Sequence, residues 1–318
     1  MQAMLHNIQR AQEALKKVII GQDEVIHLLF IALLANGHVL FESVPGSGKT
    51  KLAKSFAHVI SGKFSRVQFT PDVLPGDVTG IQFFNPKRQE FELRMGPAVT
   101  NFLLADEINR ATPKTQSSLL EVMEERQITI NGETITLPAP FIVMATQNPV
   151  EHNQGTFPLP EAQLDRFLFK IKLDYPGKRH EKEILSSYQS HDPLLDLPSL
   201  LTSYEIVTLQ EEVKDVTVAE PLKDYLIDLA HTSREHPEVE VGVSTRAALA
   251  LMRAAQASAV LKERSYVTPQ DIKELAHYVF EHRLILSMEG SIRKTNEDVT
   301  AEIIQDVEVP VELGSYGQ

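Results

Sequence analysis

His38-Val39-Leu40-Phe41-Glu42-Ser43-Val44-Pro45-Gly46-Ser47-Gly48-Lys49-Thr50 is the stretch on which the fold turns. An apolar run of strand length, His38–Glu42, enters a turn with two closely spaced glycines, and a helical pattern follows over Thr50–Ile60. Strand, glycine-rich turn and helix in that order make a phosphate cradle. In the loop Val44-Pro45-Gly46-Ser47-Gly48, the two glycines let backbone N–H groups curl around oxygens of a β-phosphate. Lys49 reaches β- and γ-oxygens, and Thr50 supplies a hydroxyl to Mg²⁺. The bland alternative is a mere helix-start turn, which the flanking strand and helix disfavour. Ser43 stands where such loops usually carry their first glycine, a departure that bears on the tight turn and not on the cradle downstream of it.

Outward from this loop, helix and strand alternate up to about residue 175. Ala11–Val18, Glu24–Ala35 and Pro113–Glu125 read as helices, the last opened by a proline at a tolerated position. Arg66–Phe69, Phe102–Ala105, Phe141–Thr146 and Phe167–Leu173 read as strands. Apolar strands separated by helices predict an α/β, doubly wound parallel sheet covered on both faces. Two hairpins interrupt the order. Asn131-Gly132 between Ile128–Ile130 and Ile135–Leu137 is a type I′ signal, and Asn85–Arg88 between Ile81–Phe84 and Phe91–Leu93 is a weaker one. They read as surface decoration or as contact elements.

After Tyr175-Pro176-Gly177 the 3.6-residue period takes over, near 178–190, 203–214, 219–232, 244–263 and 268–286. Two domains are therefore expected: 1–175, α/β, and 176–318, helical and ending in an acidic tail that is loosely held beyond about 290. Thr268 with Pro269 and Asp271 marks a helix start, and Val267 and Ile272 are spaced to staple it.

Other residues fit the chemistry of the loop. Asn101–Glu107 is an apolar strand ending in two carboxylates. An isolated Asp-Glu after a strand is usually a solvated loop start. Beside a phosphate cradle, Asp106 would hold the Mg²⁺ shell and Glu107 would polarise a water for in-line attack. Asn148, at the end of another buried strand, offers a neutral amide to that water and the γ-phosphate; as Asn-Pro it is also a turn former. Arg166, in Gln163-Leu164-Asp165-Arg166-Phe167, is either half of a surface ion pair or a guanidinium presented to a neighbouring nucleotide. Arg246 follows the N-cap Ser244, where a cation opposes the helix dipole unless an anion lies near.

The 318 residues include no cysteine, which excludes disulfides, thiolate zinc sites and a cysteine nucleophile. No His-Glu-x-x-His helix is present among the 11 histidines, so metal-hydrolase chemistry has little support. The start lacks the blocks of a signal peptide, and Val25–Phe41, an uncharged run as long as any in the sequence, holds two histidines, Asn36 and Gly37. A cytoplasmic protein without a membrane span is expected. The net charge is −12. Residues 176–318 carry 14 basic and 25 acidic side chains, and residues 1–175 carry 17 and 18. That balance argues against nucleic acid and for protein or small-molecule partners.

Together these residues resemble the MoxR family of AAA+ ATPases over nearly the whole chain, most densely from 38 to 170. The stretches that carry the resemblance are Phe69–Asp77, Leu104–Ala111, Ala145–Pro149 and Leu159–Phe167. It implies a P-loop NTPase (AAA+) fold, a doubly wound parallel sheet with a C-terminal all-helical lid domain at 176–318, and ATP and Mg²⁺ as cofactors. Lys49 and Thr50 would belong to Walker A, Asp106 and Glu107 to Walker B, Asn148 to sensor 1, Arg166 to the arginine finger and Arg246 to sensor 2. Ile19, Ile20 and Gly21, in Val18–Gln22, would line the adenine pocket. The hairpins at 81–93 and 128–137 match the insert in helix 2 and the hairpin before sensor 1. Thr50 and Asp106 would hold Mg²⁺, the latter through water. The family implies a homo-oligomeric ring, usually a hexamer, acting as a chaperone-like ATPase with a protein client or a von Willebrand factor A-domain partner. A nucleic-acid motor and a scaffold that binds nucleotide without hydrolysis are the competing readings; acidity counts against the first and the intact Asp106-Glu107 pair against the second. A regulatory GTPase lacks its Asn-Lys-x-Asp segment here.

Overall fold

Five short runs form one parallel sheet: β1 (Val39–Ser43), β2 (Phe64–Gln68), β3 (Phe102–Asp106), β4 (Ile142–Gln147) and β5 (Phe169–Leu173), in the spatial order β2-β3-β4-β1-β5. The structure is a computed structural model and describes residues 2–148 and 155–310. The inner strands are buried along almost their whole length, β3 as Phe102-Leu103-Leu104-Ala105-Asp106 without an exposed position. Continuous apolar runs of this kind suit a sheet covered on both faces. Register does the positioning. Leu40, Ala145 and Ala105 share one row across β1, β4 and β3. The next row therefore brings Thr146 beside Asp106, and the loops after β1, β3 and β4 leave from the same edge, where ligands bind in open parallel sheets.

The helix Lys49–Val59 begins directly after Gly48 and buries Leu52, Ala53, Phe56 and Ala57 against the sheet. Phe56 meets Phe30 and Phe102 edge to face, with ring centroids 5.0 and 5.8 Å apart. Both expected hairpins are present, as Gly80–Asn85 with Glu90–Met95 and as Gln127–Ile130 with Glu133–Thr136. Asn131 and Gly132 have φ of +48° and +88°, as a type I′ turn requires. Asn131 Nδ2 donates to Gln82 Oε1 at 2.7 Å, so the two hairpins are tied together.

The chain divides into two compact units between Gln210 and Glu211, later than the expected change at 175. The reason is the far end of the Lys49–Val59 helix. The last carbonyls of a helix have no partner within it; those of Ala57 and His58 accept from the nearby Gly62 and Ser61 N–H groups, and that of Val59 accepts from the N–H groups of Leu200 and Leu201 at 2.9 and 3.0 Å. His58 Nε2 bonds the carbonyl of Leu197 at 2.8 Å, and Lys51 pairs with Asp192 at 2.6 Å. The helix Lys178–Ser187 and the segment after it thus belong to the first unit, despite their helical composition.

The second unit is built on helices Glu220–Glu235, Thr245–Leu261, Pro269–Phe280 and Asn296–Asp306, with one short antiparallel ribbon, Val239–Val241 with Ile285–Leu286. Thr268 and Asp271 form the reciprocal cap at the start of the third, and Val267 and Ile272 are both buried. The expectation of a loose tail beyond 290 is corrected by the structure. Thr295 and Asp298 cap Asn296–Asp306, and that helix buries Val299, Thr300, Ile303 and Ile304. The cap and the i, i+4 apolar pattern are both in the sequence, but the acidic composition hides them. Residues 311–318 lie outside the described part. Among the described residues no helix is long and apolar enough to cross a membrane.

Candidate nucleotide site

The loop after β1 begins without the first glycine. Ser43 is the last residue of β1, buried, and absent from the positions with positive φ. An L-residue is therefore compatible with the strand conformation there, and the departure costs the loop no backbone strain. Gly46 and Gly48 differ: their φ values are +80° and +83°, and a Cβ on either would meet no atom within 4 Å. What excludes other residues is left-handed backbone rather than crowding, and the space beside the loop is open. Ser47 Oγ and Gln22 Oε1 are buried there without a hydrogen-bond partner, although Gln22 Nε2 donates to the Ser47 carbonyl at 3.3 Å. An open, left-handed loop ahead of a helix N-terminus, with a lysine on its rim, fits a phosphate group.

Across the edge, Asp106 is 2% exposed and has two cations against it. Lys49 Nζ lies 3.1 Å from Oδ1 and Arg66 Nη2 2.6 Å from Oδ2. Thr146 Oγ1 donates to Oδ1 at 2.7 Å. Burial works to raise the Asp106 pKa, but Arg66, Thr146 and Lys49 together outweigh it and hold the carboxyl below its ordinary range. Asp106 is thus an anion, on the same edge of the sheet as the start of the helix that carries Thr50.

Glu107 follows with φ +57° and ψ +50°, left-handed for a residue that has a side chain. Its N–H donates to Thr146 Oγ1 at 2.9 Å, so one threonine hydroxyl serves both carboxylate residues. The Glu107 carboxylate receives Gln68 Nε2 at 2.8 Å and Arg110 Nε at 3.3 Å, both on Oε2. Asn148 is buried immediately beyond β4, one step past Gln147, which pairs with Glu42 of β1. Pro149 of the same motif lies outside the described residues.

Beside the loop a cavity of about 580 Å³ is lined by Ile19, Ile20, Gln22, Gly46, Ser47 and Gly48 on one side and by Tyr175, Ile184, Leu185 and Tyr188 on the other. Its walls are mostly apolar, with Gln22, Ser47, Lys51, Glu181 and the hydroxyls of Tyr175 and Tyr188 as the polar groups, a make-up suited to a flat heteroaromatic ring. Ile19 and Ile20 are buried, and Gly21 has φ +77° with the His180 ring packed where a Cβ would stand. Tyr175 Oη donates to the Pro45 carbonyl at 3.0 Å, and Lys51 Nζ stands 3.7 Å over the Tyr188 ring.

Arg166 lies away from this cavity. Its Nη1 pairs with Glu124 and donates to the Leu120 carbonyl at 3.2 Å. Arg166 is thus held in an ion pair, but its partner is Glu124 of the helix Pro113–Glu125, 42 positions away, rather than its neighbour Asp165 as a local surface pair would have it. Arg246 belongs to the second unit, exposed in the first turn of Thr245–Leu261, whose cap Ser244 accepts from the Ala247 N–H.

Arg66, Gln68, Thr146 and Arg110 carry no signal in the sequence that marks them for the site. Arg66 and Gln68 stand two apart on β2, facing the site from one side of the strand. Because β2 is at the edge of the sheet, polar residues on it look ordinary. Thr146 closes an apolar run and reads as one more strand residue.

These features define an ATPase domain of the AAA class, and similarity to known proteins agrees. Residues 38–169 match the ATPase family associated with various cellular activities (AAA), and residues 231–306 match the AAA lid domain. The chain is 41% identical to Chaperone MoxR1 of Mycobacterium tuberculosis, over 97% of this chain and 84% of that one. It is 47% identical to the uncharacterized protein YeaC of Bacillus subtilis over 95% of each chain. A crystal structure of a candidate ATPase from Cytophaga hutchinsonii matches with a TM-score of 0.89 and 38% identity, covering 97% of this chain and 96% of that one. The chain belongs to the MoxR family of AAA+ ATPases.

Proposed function

We propose that this protein is a cytoplasmic, ring-forming ATP hydrolase, a hexamer, that remodels or matures a partner protein complex, with a von Willebrand factor A-domain protein as its companion. The observation that carries the hydrolytic part is the single threonine hydroxyl that ties Asp106 to the backbone of Glu107 at the mouth of an open phosphate cradle. The loop N–H groups bind β-phosphate oxygens, and Lys49 leaves Asp106 for the β- and γ-oxygens. Thr50 and, through water, Asp106 would hold Mg²⁺, which would supply charge neutralisation at the phosphates. Glu107 orients the attacking water and takes its proton, while Asn148 fixes that water against the γ-phosphate. Ile19, Ile20 and Gly21 hold the adenine. Arg246 and a neighbour's Arg166 add positive charge where the transferred phosphoryl group spreads its own. The acidity of the second unit favours a protein client over nucleic acid.

The test separates binding from turnover. Lys49→Ala should abolish binding of a fluorescent ATP analogue. Glu107→Gln should bind it as the wild type does and release no phosphate, since the amide keeps the shape and loses the base. Wild-type turnover in Glu107→Gln would refute the assignment.

A further inference from the structure

Arg166 is spent on its own chain. Its Nη1 reaches both the Glu124 carboxylate and the Leu120 carbonyl, and its Nε is buried with no hydrogen-bond partner. The cavity beside it, about 300 Å³, is lined by Glu121, Glu124 and Glu125, with Arg166 as the one cation among its lining residues. Gln163 Oε1, on the same wall, is also buried and unpartnered. The guanidinium thus rests in an acidic recess that draws it in, yet satisfies it incompletely. The cavity leaves room for the side chain to swing.

A guanidinium that neutralises charge on another molecule has to present its N–H donors outward. While Glu124 holds Nη1, Arg166 cannot present the full planar fork. We propose that Glu124 is a positioning residue that keeps Arg166 withdrawn, so that delivery of the finger requires breaking an ion pair inside its own subunit. The proposal rests on the reading of Arg166 as a finger acting in trans. Glu124 touches no nucleotide in this scheme and acts through Arg166 alone. The pair is about one-third exposed on each side, 32% for Arg166 and 39% for Glu124. Its strength is therefore that of a partly screened surface contact, enough to bias a side chain but not to lock it.

The experiment measures steady-state ATP turnover of the full-length protein, at saturating ATP and a concentration at which assembly is complete, for wild type, Glu124→Gln, Glu124→Asp, Arg166→Ala and the double variant. Glu124→Gln should turn over two- to fivefold faster with an unchanged KM and melting temperature. Glu124→Asp, which keeps the charge on a shorter arm, should fall between it and the wild type. The double variant should be as slow as Arg166→Ala, since Glu124 has nothing to withhold once the arginine is gone. Raising the salt from 50 to 300 mM should narrow the gap between Glu124→Gln and wild type by screening the pair. Arg166→Ala slow and Glu124→Gln at or below the wild-type rate would overturn the latch and leave the finger standing. Arg166→Ala at the wild-type rate would overturn the finger itself.

Discussion

Gln68 donates its side-chain amide to Glu107 Oε2 across 2.8 Å, and the same Gln68 accepts at Oε1 from Arg66 Nη2, which also holds Asp106. The two carboxylates of the site are therefore joined by two side chains of β2. With Arg110 also on Oε2, that one oxygen of Glu107 is held by two side chains.

Removing Gln68 should free Glu107. A hydrogen bond to a charged group contributes about 1.5–3 kcal/mol when well buried and less in this exposed position. Gln68→Ala should raise kcat about two- to fivefold with little change in KM, measured by phosphate release. A fall in kcat would mean that Gln68 orients Glu107 rather than detaining it.

Thr146→Val keeps the shape of the side chain and deletes the hydroxyl shared by Asp106 and the Glu107 N–H. Leaving a buried donor unsatisfied costs about 1–3 kcal/mol. The variant should lose that much in urea denaturation, and turnover should drop at least tenfold, because Glu107 is no longer pinned in its left-handed conformation. Thr146→Ser should recover most of both losses.

Gly48→Ala probes the cradle. No atom lies within 4 Å of the added Cβ, so the fold meets only the strain of a left-handed alanine, about 1–2 kcal/mol. The methyl stands beside the path of the phosphate-binding backbone. ATP affinity should fall at least tenfold by titration calorimetry while the melting temperature falls by a few degrees.

His38 gives a pH dependence that can be signed. It is fully enclosed, with Nε2 donating to the Met123 carbonyl at 3.0 Å and Nδ1 accepting from the Val143 N–H at 3.0 Å. Burial, and after it the Arg126 charge, lowers its pKa from 6.5 to about 3. Between those values the unfolded chain binds a proton that the folded one refuses. Stability is fully present above pH 6.5 and is lost as pH falls toward 3, by about 1.4 kcal/mol per pH unit. Urea denaturation at pH 7, 6, 5 and 4 should show a steeper decline for the wild type than for His38→Gln.

Sharing of sites between subunits is tested by mixing. Arg166→Ala should bind ATP nearly normally and hydrolyse it on the order of 10³-fold more slowly. Adding Lys49→Ala, which keeps its arginine, should restore some turnover. No recovery, together with wild-type activity that is independent of protein concentration, would point to a monomeric enzyme.

Much of this site is legible in the sequence alone. The strand–loop–helix around Gly46, the Asp106-Glu107 pair and the Asn131-Gly132 turn are local patterns whose chemistry depends on neighbours in sequence. Arg66 and Gln68 are not legible there, because their meaning arises only when β2 is laid beside β3, a contact between residues some 40 positions apart. The helix Asn296–Asp306 is hidden for a different reason: net charge describes the side of a helix that faces water, and Val299 and Ile303 are on the other.

The Val59 carbonyl, which accepts from Leu200 and Leu201, sets an order of events as the chain is made. Chains emerge from the ribosome amino end first, and units fold as they become complete. All five strands of the sheet have been made by residue 173, yet the Val59 carbonyl, at the end of the helix that carries Lys49 and Thr50, still lacks its partners. Only when residues 197–201 emerge does that helix gain its final partners. A nascent chain stalled between these points holds the loop Val44–Gly48 and Lys49 on a helix whose far end is unfinished, and until residue 188 it also lacks the Ile184, Leu185 and Tyr188 wall of the cavity beside that loop.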